Sequence, residues 1–382
     1  MKRKQLLLLL FPLAFIGGLS TACHDKHNEP ALPHDNRTVL VYMLADNDLA
    51  TSYNYDRRNI RDIGEAIADN DINGHMVIYY AGADDSPTLQ EIRHTGSGKY
   101  SVETVKRYNG DEPSTSVNTI KEVLHDVTAM YDTRSYGIIF WSHATGWLPQ
   151  NHLYTRSKYR APSSFGREGE EDLSIDIDSL RQALDGYRFD FILFDACLMG
   201  SVEVAYELRN TTQYMIASPT ETMGSGFPYG DITPLLFADE IDYEQVCKCY
   251  YDTYIAQGTL ETGSIALINT SALDHLAVLC KELINQYEGH VATELIQYYD
   301  RTTPHVFYDI DDYMRHISTG EEYTAFADAL AEVIPYKAAS STFLSIPIHH
   351  YSGLSCYIVG SSGDMLIEDY YAKLEWYNDI YK

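Results

Sequence analysis

Basic residues are scarce: 28 Lys and Arg stand against 55 Asp and Glu, a formal net charge of −27. A phosphate backbone needs a basic face, so this balance argues against nucleic acid as a partner. It favours basic ligands instead, including peptides that carry Lys or Arg. A disulfide framework is also missing. The six cysteines, at 23, 197, 247, 249, 280 and 356, show no framework-like spacing. Cys247-Lys248-Cys249 lacks the second pair that a zinc site needs. Cys247, Cys249, Cys280 and Cys356 are therefore expected as buried, inert thiols. No internal repeat and no long low-complexity tract interrupts the chain. What is plentiful is apolar and aromatic: 45% hydrophobic and 12% aromatic residues over 382 positions can fill one large domain or two ordinary ones.

The run "LLLLLFPLAFIGGL" is too short to read as a membrane-spanning helix. It follows a basic start, Met1-Lys2-Arg3-Lys4-Gln5, and ends in small residues before Cys23, the layout of an export signal. It resembles a bacterial lipoprotein signal peptide over 1–22, with Cys23 the acylated first residue of the mature chain and 23–36 a polar tether. Ser20 departs from the usual Leu of that motif, and an ordinary secretory signal with an incidental cysteine is the alternative. The expected location is the bacterial cell envelope, periplasmic or surface-exposed, with the membrane reached through the lipid anchor.

Strand-like and helix-like segments then alternate. "TVLVYML" (38–44) and "HMVIYYAG" (75–82) read as strands covered on both faces, and "NIRDIGEAIA" between them has helical spacing, giving one βαβ unit. "TLQEIRH" and "YSVETVKRY" around "TGSGK" read as a hairpin. A helix over 115–131, a strand over 136–143, a short strand or turn with a helix in "SIDIDSLRQAL", and strands in "FDFILFD" and "YMIASP" follow. This order predicts a three-layer α/β/α sandwich over 37–228 with a largely parallel central sheet. From Tyr229 three amphipathic helices appear, with "SIALINT" and "GLSCYIVG" strand-like among them, so 229–382 is expected as a mixed α+β region packed on the first.

In open sheets of this kind chemistry collects at the carboxyl ends of the strands. His143 ends one predicted strand and Cys197 another, 54 residues later. A cysteine nucleophile needs a thiolate and a proton donor for its leaving amine, and an imidazole serves both needs. The start of the helix after Cys197 would favour negative charge there. Papain-like enzymes place Cys first and His far downstream; a His about 50 residues before an "AC" is the caspase order, and this chain follows the second.

"WSHATGW" (141–147) and "LFDACLMGSVEVAYEL" (193–208) resemble the His and Cys blocks of the clostripain family of cysteine peptidases, caspase-like enzymes of clan CD. "TVLVYMLADNDL" and "ASPTETMGSGFPY" (217–229) resemble the family's first strand and its pocket-shaping segment, so the likeness spans about 38–229, with weaker echoes toward Trp376. The resemblance implies a caspase-like sandwich with Cys197 as nucleophile and His143 as general acid/base. Main-chain amides at Ala144 and Cys197 would form the oxyanion hole, which is worth several kcal/mol of barrier in acyl transfer. The family generally has Gly where Ala144 stands, and a left-handed backbone there would strain Ala. Asp195 matches the acid that selects Arg or Lys before the scissile bond, as a carboxylate can hold a guanidinium by two charge-assisted bonds. Capping the next helix or binding loop amides is the alternative role for Asp195.

The polar stretch 150–174 resembles the region where these zymogens cut themselves after a basic residue, with Arg156, Lys158 and Arg160 as candidate sites. Some members of the family need calcium, so calcium is a candidate cofactor. "LADNDL" and "DIDD" (309–312) offer carboxylates without completing a calcium loop, and no metal ligand is assigned. The expectation is a monomeric, lipid-anchored endopeptidase acting on protein or peptide substrates with basic residues. Two alternatives stand: a catalytically inactive lipid-anchored protein whose 32 tyrosines bind peptide or glycan, and a thiol transferase that passes its acyl group to an amine.

Overall fold

Residues Val39 to Ala45 carry no charge, and such a strand needs cover on both faces. In the computed structural model, which describes residues 35–83, 86–150, 165–169, 171–256, 262–318 and 320–382, this is the middle of strand β1 (Asp35–Ala45), and each of these seven side chains is at most 2% exposed. Period-two alternation sends Leu40, Tyr42 and Leu44 to one core and Val39, Val41 and Met43 to the other. Helix α2 (Tyr55–Asp69) covers the second core with Ile63 and Ile67.

Strand β2 (Gly74–Gly82) pairs parallel with β1, and β3 (Thr88–His94) and β4 (Tyr100–Arg107) form the expected hairpin on its far side. Helix α3 (Val117–Met130), started by the Ser116 side chain accepting from the Thr119 N–H, packs on the first core. The chain then returns to the other side of β1 as β5 (Thr133–Trp141). A small antiparallel pair, β6 (Phe165–Glu168) and β7 (Leu173–Ile175), and helix α4 (Ile177–Leu184) lead into β8 (Phe189–Asp195). Helix α5 (Val202–Leu208) and β9 (Thr212–Ala217) follow. The order β9-β8-β5-β1-β2 is parallel throughout, and the direction of growth reverses between β1 and β5. That reversal opens a crevice at the carboxyl ends of these two strands.

The change of texture at Tyr229 is not a break in the sheet. After helices α6 (Tyr229–Leu236) and α7 (Tyr243–Tyr251), strand β10 (Ser264–Asn269) pairs antiparallel with β9, and β12 (Tyr336–Ala339) pairs with β10. The sheet thus has nine strands, β12-β10-β9-β8-β5-β1-β2-β3-β4, with parallel strands at its centre and antiparallel ones at both edges. Helices α8 (Leu273–Gln286), α9 (Ile310–Ile317) and α10 (Glu321–Val333) pack on the first core. "GLSCYIVG" is not a full strand. Only Ser355–Cys356 pairs, with β11 (Tyr308–Asp309), because the Ser355 and Tyr357 amides turn aside to Gly200 O and the Glu203 carboxylate. Cys23, Arg156, Lys158 and Arg160 lie outside the described residues.

Candidate active site

Register aligns the strand tips: Met43 lies opposite Trp141, and Trp141 opposite Asp195. Residues just past β1, β5 and β8 therefore share one rim. His143 and Cys197, each two residues beyond its strand, line one cavity of about 210 Å³ with Asp195, Glu221 and Thr222. Sequence order had predicted this meeting, and the structure brings the two together.

The histidine side is held from the flank. Asn47, at the end of β1, donates to Leu44 O, Ser142 Oγ and Arg167 O, tying three segments together. Its own side chain caps α1 (Asp48–Thr51) by accepting from the Leu49 N–H. The Gly166 N–H donates to His143 O, and the Arg167 N–H to Ser142 Oγ. The His143 ring does not bond the thiol. Its Nε2 lies 2.8 Å from Asp48 Oδ1, an acceptor that Arg167 Nη1 also reaches at 3.2 Å. The bond from His143 leads in holding the Asp48 carboxyl below its usual range. Asp48 is a site residue that the sequence reading misses: "LADNDL" reads as a family-like first loop and as a source of carboxylates, and nothing in one sequence signals which ring Asp48 faces.

The cysteine side is built from main chain: the loop residues around Cys197 are buried and Cys197 itself is half-buried, facing the cavity. Leu198 adopts a left-handed φ of 61°, and the Leu198 and Gly200 amides donate to Thr220 O and Ser218 O. Thr222 N–H points at Cys197 Sγ from 3.3 Å. Helix α5 begins only at Val202, capped by Ser201, so its terminus does not sit at the thiol as expected. Burial above all, with Glu221 and Asp195 adding to it, pushes the Cys197 thiol up to about 12 against the opposing Thr222 amide and Arg301. Glu221 and Arg301 form a two-bond ion pair, 2.9 and 2.6 Å, beside the cavity; neither was legible as a site residue.

Ala144 is free of the strain its family position raised. It is not among the residues with left-handed φ; Gly146 takes that conformation, at φ 65°. There a Cβ would meet Leu198 O at 2.6 Å, so this glycine allows the two loops to touch. The amides of Ala144 and Cys197 donate to no partner among the described residues. Asp195 is buried and lines the cavity. Its Oδ2 accepts from the Phe227 amide at 3.2 Å and the Tyr229 hydroxyl at 2.9 Å, so loop binding is part of its role. Desolvation outweighs these bonds and lifts its carboxyl to about 7.

Among the described residues one acidic cluster could gather a metal ion, and it is not built for calcium. Asp309, Asp311 and His350 cluster within 4.8 Å, but their oxygens are already taken. Asp309 accepts from the amides of Asp312 and Ser352 and from Tyr299, and Asp311 from Arg315, Tyr323 and His350. A calcium ion needs six to eight oxygens free to turn toward it.

The Clostripain family model matches residues 41–359. The chain belongs to the clostripain family. The family's solved members include an inactive zymogen C11 protease from Parabacteroides distasonis, 31% identical, at a TM-score of 0.79 over 92% of this chain and 100% of that one. A secreted C11 cysteine protease from Bacteroides thetaiotaomicron, in complex with an irreversible peptide inhibitor, is 28% identical at a TM-score of 0.78, covering 91% and 99%. Clostripain of Hathewaya histolytica is 26% identical over 165 residues, 40% of this chain. That match spans 31% of the clostripain, about a third of its length. The caspase-like α/β class expected from the sequence is thereby shown.

Proposed function

We propose that this clostripain-family chain is an exported cysteine endopeptidase that cuts after Arg or Lys, with Cys197 as nucleophile and His143 as general acid/base. The observation that carries the reading is the convergence of His143, Cys197 and Asp195 on one cavity. The thiol proton passes to the imidazole, sulfur attacks the scissile carbonyl, and the imidazolium protonates the departing amine; water then releases the acyl group. The undonated amides of Ala144 and Cys197 suit the oxyanion. Asp195, at the cavity's buried end, supplies the charge that a Lys or Arg side chain would meet.

In the form described the thiol is protonated and unpaired with His143, which favours a latent chain activated by a cut at Arg156, Lys158 or Arg160. The mature protein is a monomer held in the cell envelope through lipid on Cys23. The related secreted and inhibitor-bound proteases support export and peptide binding. The test is cleavage of fluorogenic peptides ending in Arg, Lys or a neutral residue, with mass determination of the chain before and after incubation. Basic-selective cleavage and a two-chain product, both lost in Cys197→Ala, are expected. Tight peptide binding without turnover would instead establish the binding-protein alternative.

A further inference from the structure

We infer that Asp48 is a positioning residue for His143: it fixes the ring through Nε2 and leaves Nδ1 as the nitrogen that exchanges protons with Cys197. The inference rests on the dyad proposed above and concerns what organises it. Nε2 is committed to Asp48 Oδ1 at 2.8 Å, and a carboxylate only accepts, so Nε2 carries the hydrogen. Nδ1 has no hydrogen bond among the described residues. With the hydrogen held on Nε2, the neutral ring presents a bare Nδ1, the form needed to take a proton from sulfur. Once protonated, the same ring faces a negative carboxylate at its other end, which stabilises the imidazolium until Nδ1 returns the proton to the leaving amine.

Asp48 is placed for this by other residues rather than by chance. Asn47 next to it is 7% exposed and is bonded to the end of β1, to Ser142 and to β6, so the carboxylate and the imidazole hang from one cross-tied frame. Arg167, from β6, bonds Asp172 at 2.5 Å and the shared Asp48 oxygen at 3.2 Å, which keeps Asp48 ionised and oriented. The charged groups facing the ring are thus Asp48 from α1 and Arg167 from β6, with Cys197, Asp195 and Glu221 across the cavity. Asp48 is half-exposed, so its replacement leaves the core intact.

The test compares Asp48→Ala, Asp48→Asn and His143→Ala in the full chain, by steady-state cleavage of a basic peptide and by the pH dependence of Cys197 alkylation with iodoacetamide. Asp48→Ala is expected to lower kcat roughly 10- to 100-fold with KM within about twofold, and to move the acid limb of the rate profile to lower pH. Asp48→Asn, which can still accept from Nε2 but carries no charge, should retain part of the rate. The inference falls if Asp48→Ala keeps kcat and the alkylation profile within about twofold of the parent while His143→Ala is inactive; the dyad then survives without it. It also falls if Asp48→Ala lowers the thermal midpoint with an unchanged pH profile, the mark of a purely structural contact. A fully active His143→Ala would remove the dyad itself.

Discussion

The two halves of the rim are built in opposite ways. The His143 side is a polar frame: buried Asn47 and Ser142 and the more exposed Asp48, Arg167 and Asp172 hold one another by hydrogen bonds and ion pairs. The Cys197 side is packed more deeply: main-chain bonds fix the loop, Asp195 is buried at the cavity and Glu203 is fully enclosed behind it. The first arrangement holds an imidazole against a carboxylate within reach of water. The second raises the energy of every anion within it, the thiolate included. A thiol pushed up to about 12 cannot ionise unaided at neutral pH, so it needs the imidazole to take its proton.

The sharpest way to break this comparison is at the sulfur. Cys197→Ala should lower turnover of a basic peptide by at least about 10³-fold without unfolding the chain, since it loses only the Thr222 contacts to Sγ and keeps the main-chain bonds from Leu198 and Gly200 that hold the loop. Residual thiol-independent turnover near the parent rate would refute the division of roles. The His loop is also anchored in the core by Trp147, four residues after His143, which is fully buried against Phe307, Tyr357 and Tyr371. Trp147→Ala should cost about 3–5 kcal/mol in chemical denaturation. A cost under about 1 kcal/mol would mean that the His loop does not depend on this packing.

The parallel core and its strand tips were legible because uncharged strand runs and a βαβ order admit few arrangements, and the His and Cys blocks sit at those tips. The polar frame was not, because it depends on which side chain a loop turns toward which neighbour. Asp48 and Arg167 are 119 residues apart, and Arg167 shares Asp48 Oδ1 with His143. The small and helix-forming residues after Cys197 read as a helix start close to the thiol; the left-handed Leu198 and the bonds to Ser218 and Thr220 keep the loop open as far as Ser201. In the C-terminal region, β10 was clear from its apolar run, whereas the partial strand at Ser355–Cys356 gave its amides to the residues behind the cysteine loop.

Asp195 allows a finer test of the buried half. Its carboxyl titrates near 7, so a cationic side chain binds best once it has ionised. In Cys197→Ala, affinity for an Arg-ended peptide should rise between pH 6 and 8, with proton release on binding below about pH 7. Asp195→Asn should abolish that dependence and lower kcat/KM for basic peptides roughly 10²- to 10³-fold. Calorimetry in buffers of different ionisation enthalpy reads the proton directly. An Asn variant with unaltered selectivity would return Asp195 to loop binding alone.

The smallest expected effect lies deepest. Glu203 accepts the Tyr357 amide at 2.7 Å through Oε1, while Oε2 is buried with no partner among the described residues. Desolvation lifts its carboxyl from an ordinary 4.5 to about 7. The folded state therefore holds this proton more tightly than the unfolded chain. Its contribution to stability is full below about pH 4 and is lost as pH rises toward 7, the opposite sense to a salt-bridged acid such as Asp48. Glu203→Gln keeps the acceptor and cannot ionise. Relative to the parent it should gain roughly 2–3 kcal/mol between pH 4 and pH 8 in urea unfolding. A difference constant across that range would show that Glu203 does not carry the shift, and that the buried half is better solvated than its packing implies.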